Sequence, residues 1–297
     1  MTRLALRVLR DLMLVPLTAV LVYLAVMRLP YRADSDRKIA TADNDARARL
    51  TAVLGDGSLG GAVEPWRRFF GGEPLGVRAD PYTGADLRQA LGRSLGLGAR
   101  ALLLALGWAL ALGVLRAATA RRKVAALVDV APALVFGTPL FLLALLAAVT
   151  AVEWGVPFQG SAWLAALVMA VAPGAFVGVV LSDALRAELV RPYVRTALAK
   201  GCSPARALLR HALPNALPAL LDALAPVATS LLVGSFVAES FFGVQGFGRL
   251  YVRAAQDVDP GVVVVATSLF AAVLIAVSLA AELLRLAVDS RARKAAR

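Results

Sequence analysis

Apolar residues in this chain come in long blocks, divided by charged or glycine-rich stretches. Six blocks can be traced, at 11–29, 95–115, 129–150, 162–182, 217–238 and 261–284. Each is close to the ~20 residues an α-helix needs to cross a hydrocarbon core of ~30 Å. The pattern predicts an all-α integral membrane protein with six transmembrane helices. Arg3, Arg7 and Arg10 precede the first block. That block is too long for a signal peptide and no small-residue cleavage site follows it, so an uncleaved first span is expected. Arg116, Arg121, Arg122 and Lys123 follow the second block, and Arg285, Arg291, Arg293, Lys294 and Arg297 follow the sixth, whereas the connection 151–161 has Glu153 and no Lys or Arg. Lys and Arg collect on the inner side of short loops, so both termini are expected to be cytoplasmic, N-in and C-in.

Residues 30–94 break the pattern with mixed charges, the turns Gly55-Asp56-Gly57 and Gly60-Gly61, and the patch Trp66-Arg67-Arg68-Phe69-Phe70. Long loops translocate largely regardless of charge. The stretch is expected to be an extracytoplasmic insertion, partly helical near 40–54 and 84–93. Arg100 is placed to snorkel from the outer end of the second span. Pro173-Gly174 predicts a kink in the fourth span, its freed carbonyl satisfied by neighbouring helices. Three domains follow: 1–29, the cytoplasmic N-terminus and first helix; 30–94, the insertion; and 95–297, the membrane core, with an inner loop at 183–216.

Composition agrees: 59% of residues are apolar, 18% are charged and mean hydropathy is +0.72, against nearer half and a quarter in soluble domains. The formal charge of +12 flanks apolar runs and forms no soluble basic face, so no nucleic-acid partner is expected. Cys202 is the single cysteine and His211 the single histidine, so no intrachain disulfide and no metal site are expected. None of the four lysines stands in a G-x-x-x-x-G-K-[ST] phosphate loop, and neither H-E-x-x-H nor G-x-S-x-G occurs. The chain is therefore not expected to be an enzyme; if it moves a solute uphill, the energy must come from a partner or an ion gradient. Asp183, Glu188 and Asp222 read as interfacial charges, and Glu282 as a partner for Arg285 at i+3. No lone midspan acid suggests a proton relay.

The most informative stretch runs from Tyr193 to Pro218, basic and helix-forming between two apolar blocks. Ser203 is a helix cap and Pro204 a first-turn residue with no N–H to leave unsatisfied. Gly201 permits a sharp bend after a helical piece ending at Lys200, and Pro214 is expected to stop the second piece. Arg206 and Arg210 then share a face at i, i+4. Further on, Glu239 to Leu250 carries Gly243, Gly246 and Gly248, predicting a tight non-helical turn.

These two stretches resemble one family. Tyr193, Val194, Arg195, Thr196, Ala197, Ala199, Lys200 and Gly201, then His211, Ala212, Leu213, Asn215 and Ala216, match the cytoplasmic "EAA" coupling loop of binding-protein-dependent ABC importer permeases, in its dipeptide/oligopeptide/nickel branch. Glu239-Ser240-Phe241-Phe242-Gly243, with Gly246, Gly248, Arg249 and Leu250, is similar to an E-x-x-F-x-x-P-G-x-G-R-L signature, with Gln245 in place of Pro. Val288-Asp289-Ser290-Arg291 resembles a common Leu-Asp-Pro-Arg ending, and Leu29-Pro30-Tyr31-Arg32-Ala33-Asp34 departs from the usual Pro-Gly-Asp.

The resemblance implies the type I ABC importer (MetI-like) permease fold in a bacterial cytoplasmic membrane. It implies as partners a second permease subunit, two cytoplasmic ATPase subunits carrying ATP and Mg, and an extracytoplasmic solute-binding protein. It places the ATPase contact on Arg195, Thr196, Ala199, Lys200, Gly201, Ser203, Pro204, Arg206 and Arg210. It places an external mouth at Glu239, Phe242, Gly243, Gly246 and Gly248. Lipid headgroups are the other reading for Arg206 and Arg210, and a solvated loop carboxylate the other reading for Glu239. Peptide is the default solute, with nickel or another chelate open, although one histidine argues against direct metal handling. The alternative for the whole chain is an ATPase-independent secondary transporter or channel, or a scaffold without transport activity.

Overall fold

The computed structural model describes residues 10, 13–14, 16–25, 63–75, 81–119, 130, 134–135, 137–257 and 259–288, and these are helical or form the connections between helices. Among the described residues, four helices are long and apolar enough to cross a membrane: Gly84–Ala118, Ala162–Leu189, Pro218–Phe242 and Gly261–Arg285. The described parts of the expected first and third spans are the shorter apolar helices Pro16–Ala25 and Leu140–Glu153. The expected helix near 40–54 lies outside the described residues, as does the Val288–Arg291 ending from residue 289 on. In chain order the helices are α1 (Pro16–Ala25), α2 (Glu64–Gly71), α3 (Gly84–Ala118), α4 (Leu140–Glu153), α5 (Ala162–Leu189), α6 (Pro192–Ala199), α7 (Pro204–Arg206), a π-helical segment (Ala207–Ala212), α8 (Leu213–Ala216), α9 (Pro218–Phe242), α10 (Phe247–Gln256) and α11 (Pro260–Val288).

The chain divides into two compact units, residues 1–94 with 245–276 and residues 95–244 with 277–297. In the first unit, α2 has Pro65 in its first turn and Glu64 paired with Arg67 at 3.0 Å and Arg68 at 3.1 Å. It stops at Gly72, whose φ of +74° is left-handed. Phe69 is its buried anchor, with the Arg88 guanidinium 5.3 Å from the ring centroid. A Cβ on Gly84 would lie 2.3 Å from the Phe69 carbonyl oxygen, so only glycine lets α3 begin so close to α2. Thr83 and Asp86 cap that start reciprocally: the Thr83 N–H and hydroxyl donate to Asp86 Oδ2 at 2.8 and 2.7 Å, and the Asp86 N–H donates to Thr83 Oγ1 at 3.4 Å.

Helix α10 corrects the expectation for 239–250. The chain is non-helical only from Gly243 to Gly246, and Gly248 is a buried helical residue. Phe247, Gly248, Leu250 and Ala254 are buried, while Arg253 and Gln256 are exposed. A helical period begun at Phe247 and the buried Ser94 hydroxyl, which accepts the Phe247 N–H at 2.7 Å, outweigh the glycine count.

The second unit packs α5 against α4, α9 and the segment 204–216. Its buried cluster consists largely of Ala, Val and Leu. Helices α3 and α5 approach through glycines. A Cβ on Gly174 would lie 2.9 Å from the Ala105 carbonyl oxygen, and one on Gly178 would lie 3.0 Å from Leu112 Cδ2. Small residues four apart let two apolar helices meet backbone to side chain. Gly174, expected as part of a kink beside Pro173, is thus also a packing residue. Arg100 lies 5.5 Å from the Trp163 ring centroid, over its face, which gives the expected snorkelling cation an aromatic partner.

Candidate functional site: a glycine-hinged helical elbow

The segment after α5 is an elbow built from two short helices. Arg191 is extended (φ −68°, ψ 148°) and turns the chain into α6, which opens on Pro192. The end of α6 is closed by two crossing hydrogen bonds: the Cys202 N–H donates to the Ala197 carbonyl at 3.1 Å, and the Gly201 N–H donates to the Leu198 carbonyl at 3.0 Å. This pair is the Schellman arrangement, and it requires a left-handed residue at Gly201, where φ is +85°. No atom lies within 4 Å of a Cβ built there, so the demand on Gly201 is conformational and not one of space. Ser203 then caps α7, accepting the Arg206 N–H at 3.4 Å, with Pro204 at the first position.

From here the structure departs from the expectation for Pro214. Helix continues through it, because Ala207–Ala212 widens into a π-helical turn and Pro214 occupies the first turn of α8. A proline there has no N–H to lose from the opening turn, and π turns absorb such breaks in register. The His211 carbonyl accepts from Asn215 Nδ2 at 2.8 Å. Arg206 and Arg210, at the two ends of this stretch, are both exposed.

Fastening residues hold the elbow to α5. The Tyr193 hydroxyl donates to Glu188 Oε2 at 2.6 Å, and Arg191 lies 3.9 Å from the same carboxylate group. Burial first, then this bond, hold the Tyr193 phenol above its ordinary pKa. Val194, Ala207, Leu208 and Ala212 are buried beneath. Around them Arg195, Thr196, Ala199, Lys200, Gly201, Ser203, Pro204, Arg206 and Arg210 are all exposed. The nine expected contact residues therefore sit on one projecting segment. Thr196 turns its hydroxyl back to the Pro192 carbonyl at 3.0 Å. Glu188, read from sequence as an interfacial charge, and Asn215, matched as part of the loop, were not among the nine expected contact residues; the signal for the Tyr193 bond was a carboxylate five residues before it. The interfacial acids find partners: Asp183 lies 3.4 Å from Arg116, and Asp222 lies 2.6 Å from Arg285, the cation expected for Glu282.

The second expected group lies at the other end of α9. That helix has 25 residues, so its ends are about 37 Å apart. Glu239 is fully buried in its last turns, which removes the solvated-loop reading. Phe242 is fully buried, and Gly243 ends the helix at φ +69°. Gly246 is extended and precedes α10. The structure thus separates the five residues into two helix ends and a short link.

Between α5 and α9 lies a cleft of about 920 Å³, flanked by the in-helix prolines Pro173 and Pro226. Its polar lining is Thr229, Ser230 and Ser278; the Thr229 and Ser230 hydroxyls donate to the carbonyls of Ala225 and Val227, each at 2.8 Å. The remaining lining residues are apolar, among them Met169 and Phe176.

An all-helical multi-pass membrane protein with a capped, exposed elbow between two long apolar helices defines a transporter-like class. Residues 106–294 match the family described as "Binding-protein-dependent transport system inner membrane component", and the chain belongs to it. Relatives include the dipeptide transport system permease protein DppB of Bacillus subtilis, 35% identical over 107 residues, which are 36% of this chain and 35% of the relative. The oligopeptide transport system permease protein OppB of Haemophilus influenzae is 36% identical over 101 residues, 34% of this chain and 33% of the relative. The chain thus spans about a third of the length of these curated relatives in the matched region. Among solved structures, an inward-facing MetNI methionine ABC transporter shares the fold, with a TM-score of 0.61 at 19% identity over 69% of this chain and 96% of that one. An amino acid ABC transporter follows at 0.54 and 17%, over 69% and 95%.

Proposed function

We propose that this chain is the permease subunit of an ATP-driven importer, forming half of a solute pathway, with di- or oligopeptides as the solute class. The elbow around Gly201 is the contact for a cytoplasmic ATPase, and nucleotide-driven movement there tilts α5 and α9 as rigid bodies. The observation that carries this reading is the left-handed Gly201 between two capped short helices, on a projecting tip anchored by Val194, Leu208 and the Tyr193–Glu188 bond. The partners are a second permease subunit, two ATPase subunits holding ATP and Mg, and an extracytoplasmic binding protein; this chain holds no cofactor itself. Six spans with both termini inside suit the arrangement. The α5–α9 cleft is the wall of the pathway, and its volume falls in the ~300–1,000 Å³ range of small-molecule sites.

The test is to purify the assembly through a tag on this chain, reconstitute it in liposomes and follow ATP-dependent uptake of labelled di- and tripeptides. Gly201→Leu should retain membrane insertion and lose most uptake. Wild-type uptake by that variant, or uptake by the isolated chain without any ATPase, would overturn the reading.

A further inference from the structure

A second, polar cavity lies in the first unit, between the opening turns of α3 and the amphipathic α10. It has a volume of about 220 Å³ and its lining includes Asp86, Arg93, Gln245, Arg249 and Arg253. Its floor is apolar, with Ala90 and Leu250 buried, while Arg93 and Arg253 are exposed at its rim and Arg249 is half-buried. The walls are tied together: the Phe247 N–H donates to Ser94 Oγ at 2.7 Å, and an Arg93 N–H donates to the Gln245 carbonyl at 3.2 Å. The lining carries three arginines and one carboxylate, whose Oδ2 already accepts from Thr83, so the cavity is net cationic. The Phe247 N–H is spent on Ser94, so the anion donors are the exposed guanidinium groups of Arg93 and Arg253. Guanidinium groups bind phosphate oxygens in a fixed fork geometry.

We propose that this cavity holds the phosphodiester headgroup of an anionic phospholipid. Depth along α3 favours a lipid over a soluble partner. Arg93 is two residues before Leu95, where the apolar block of that helix begins, or about 3 Å along the axis. Polar headgroups occupy the layer just beyond the hydrocarbon core, so the cation stands at phosphate height, and the apolar floor suits the start of the acyl chains. The cavity is smaller than the ~300 Å³ lower bound usual for whole small-molecule ligands, which fits a headgroup better than a peptide.

The experiment uses the full chain in nanodiscs of phosphatidylcholine, with or without phosphatidylglycerol, read by thermal unfolding and by native mass spectrometry of retained lipid. Wild type should retain phosphatidylglycerol selectively and melt higher in its presence. R93Q/R253Q should melt like wild type in pure phosphatidylcholine, yet lose about tenfold in phosphatidylglycerol retention, since each basic residue near an anionic surface contributes measurably. An unchanged lipid preference in R93Q/R253Q overturns the proposal. So does equal stabilisation by inorganic phosphate in phosphatidylcholine discs, which would make the site one for free anions, or competition of the lipid by a soluble acidic protein.

Discussion

At Gly201 the physical demand is narrow. A side chain there meets no neighbour, but it must adopt a φ of +85°, which costs an L-residue roughly 1–2 kcal/mol. Gly201→Ala should therefore lower elbow stability modestly and leave overall folding intact, while Gly201→Val should be worse because it is β-branched; thermal unfolding beside uptake separates the two effects. Tyr193→Phe removes the bond to Glu188 at a partly exposed site, so a loss of under about 1 kcal/mol is expected. The phenol's pKa is raised in the folded state, so its contribution is complete below the ordinary tyrosine value near 10. It is lost only as pH rises through the higher folded value. The melting difference between wild type and Tyr193→Phe should thus stay constant from about pH 6 to 9, and a difference that changes within that window would contradict the assignment.

At the level of elements, the α3–α5 contact decides how closely two apolar helices approach. Alanine in place of glycine gains up to ~1 kcal/mol of helix propensity. At Gly174 that gain faces a backbone carbonyl 2.9 Å away, which cannot rotate aside, so Gly174→Ala should be destabilising by about 1–3 kcal/mol. At Gly178 the obstacle is Leu112, whose Cδ2 lies 3.0 Å away and whose backbone-fixed Cβ lies 3.1 Å away, so Gly178→Ala should cost less than Gly174→Ala. Detergent melts of the pair of variants measure the contrast. The π turn belongs to this scale as well. Proline placement alone reads as a helix stop, whereas the fold widens one turn ahead of Pro214 and carries the helix into α9.

For the whole molecule, the α5–α9 cleft is the feature through which the proposed transport can be tested. Thr229→Trp would narrow a mostly apolar cavity of about 920 Å³ from a position about 16 Å along α9 from its start at Pro218, without touching the elbow residues themselves. Peptide uptake should fall at least tenfold, as expected when the pathway is occluded, while ATPase activity of the assembly persists. Loss of the ATPase activity together with uptake would show that the cleft is structural.

The sequence alone determined the helical membrane class, the place of the elbow and its capping residues. Apolar block length, a Ser-Pro start and a glycine after a helical run are local properties that physics reads without a partner. It also made Arg195 to Arg210 the candidate contact. Tertiary structure alone decided the rest. Glu239 is buried instead of solvated, Arg285 joins Asp222, and Gly174 is a packing residue, because each depends on a helix distant in the chain. The Arg93, Arg249 and Arg253 cavity is of the same kind: residues more than 150 positions apart converge only when α10 lies against α3. Local propensity fixes where helices begin and turn; what their side chains meet is settled by packing.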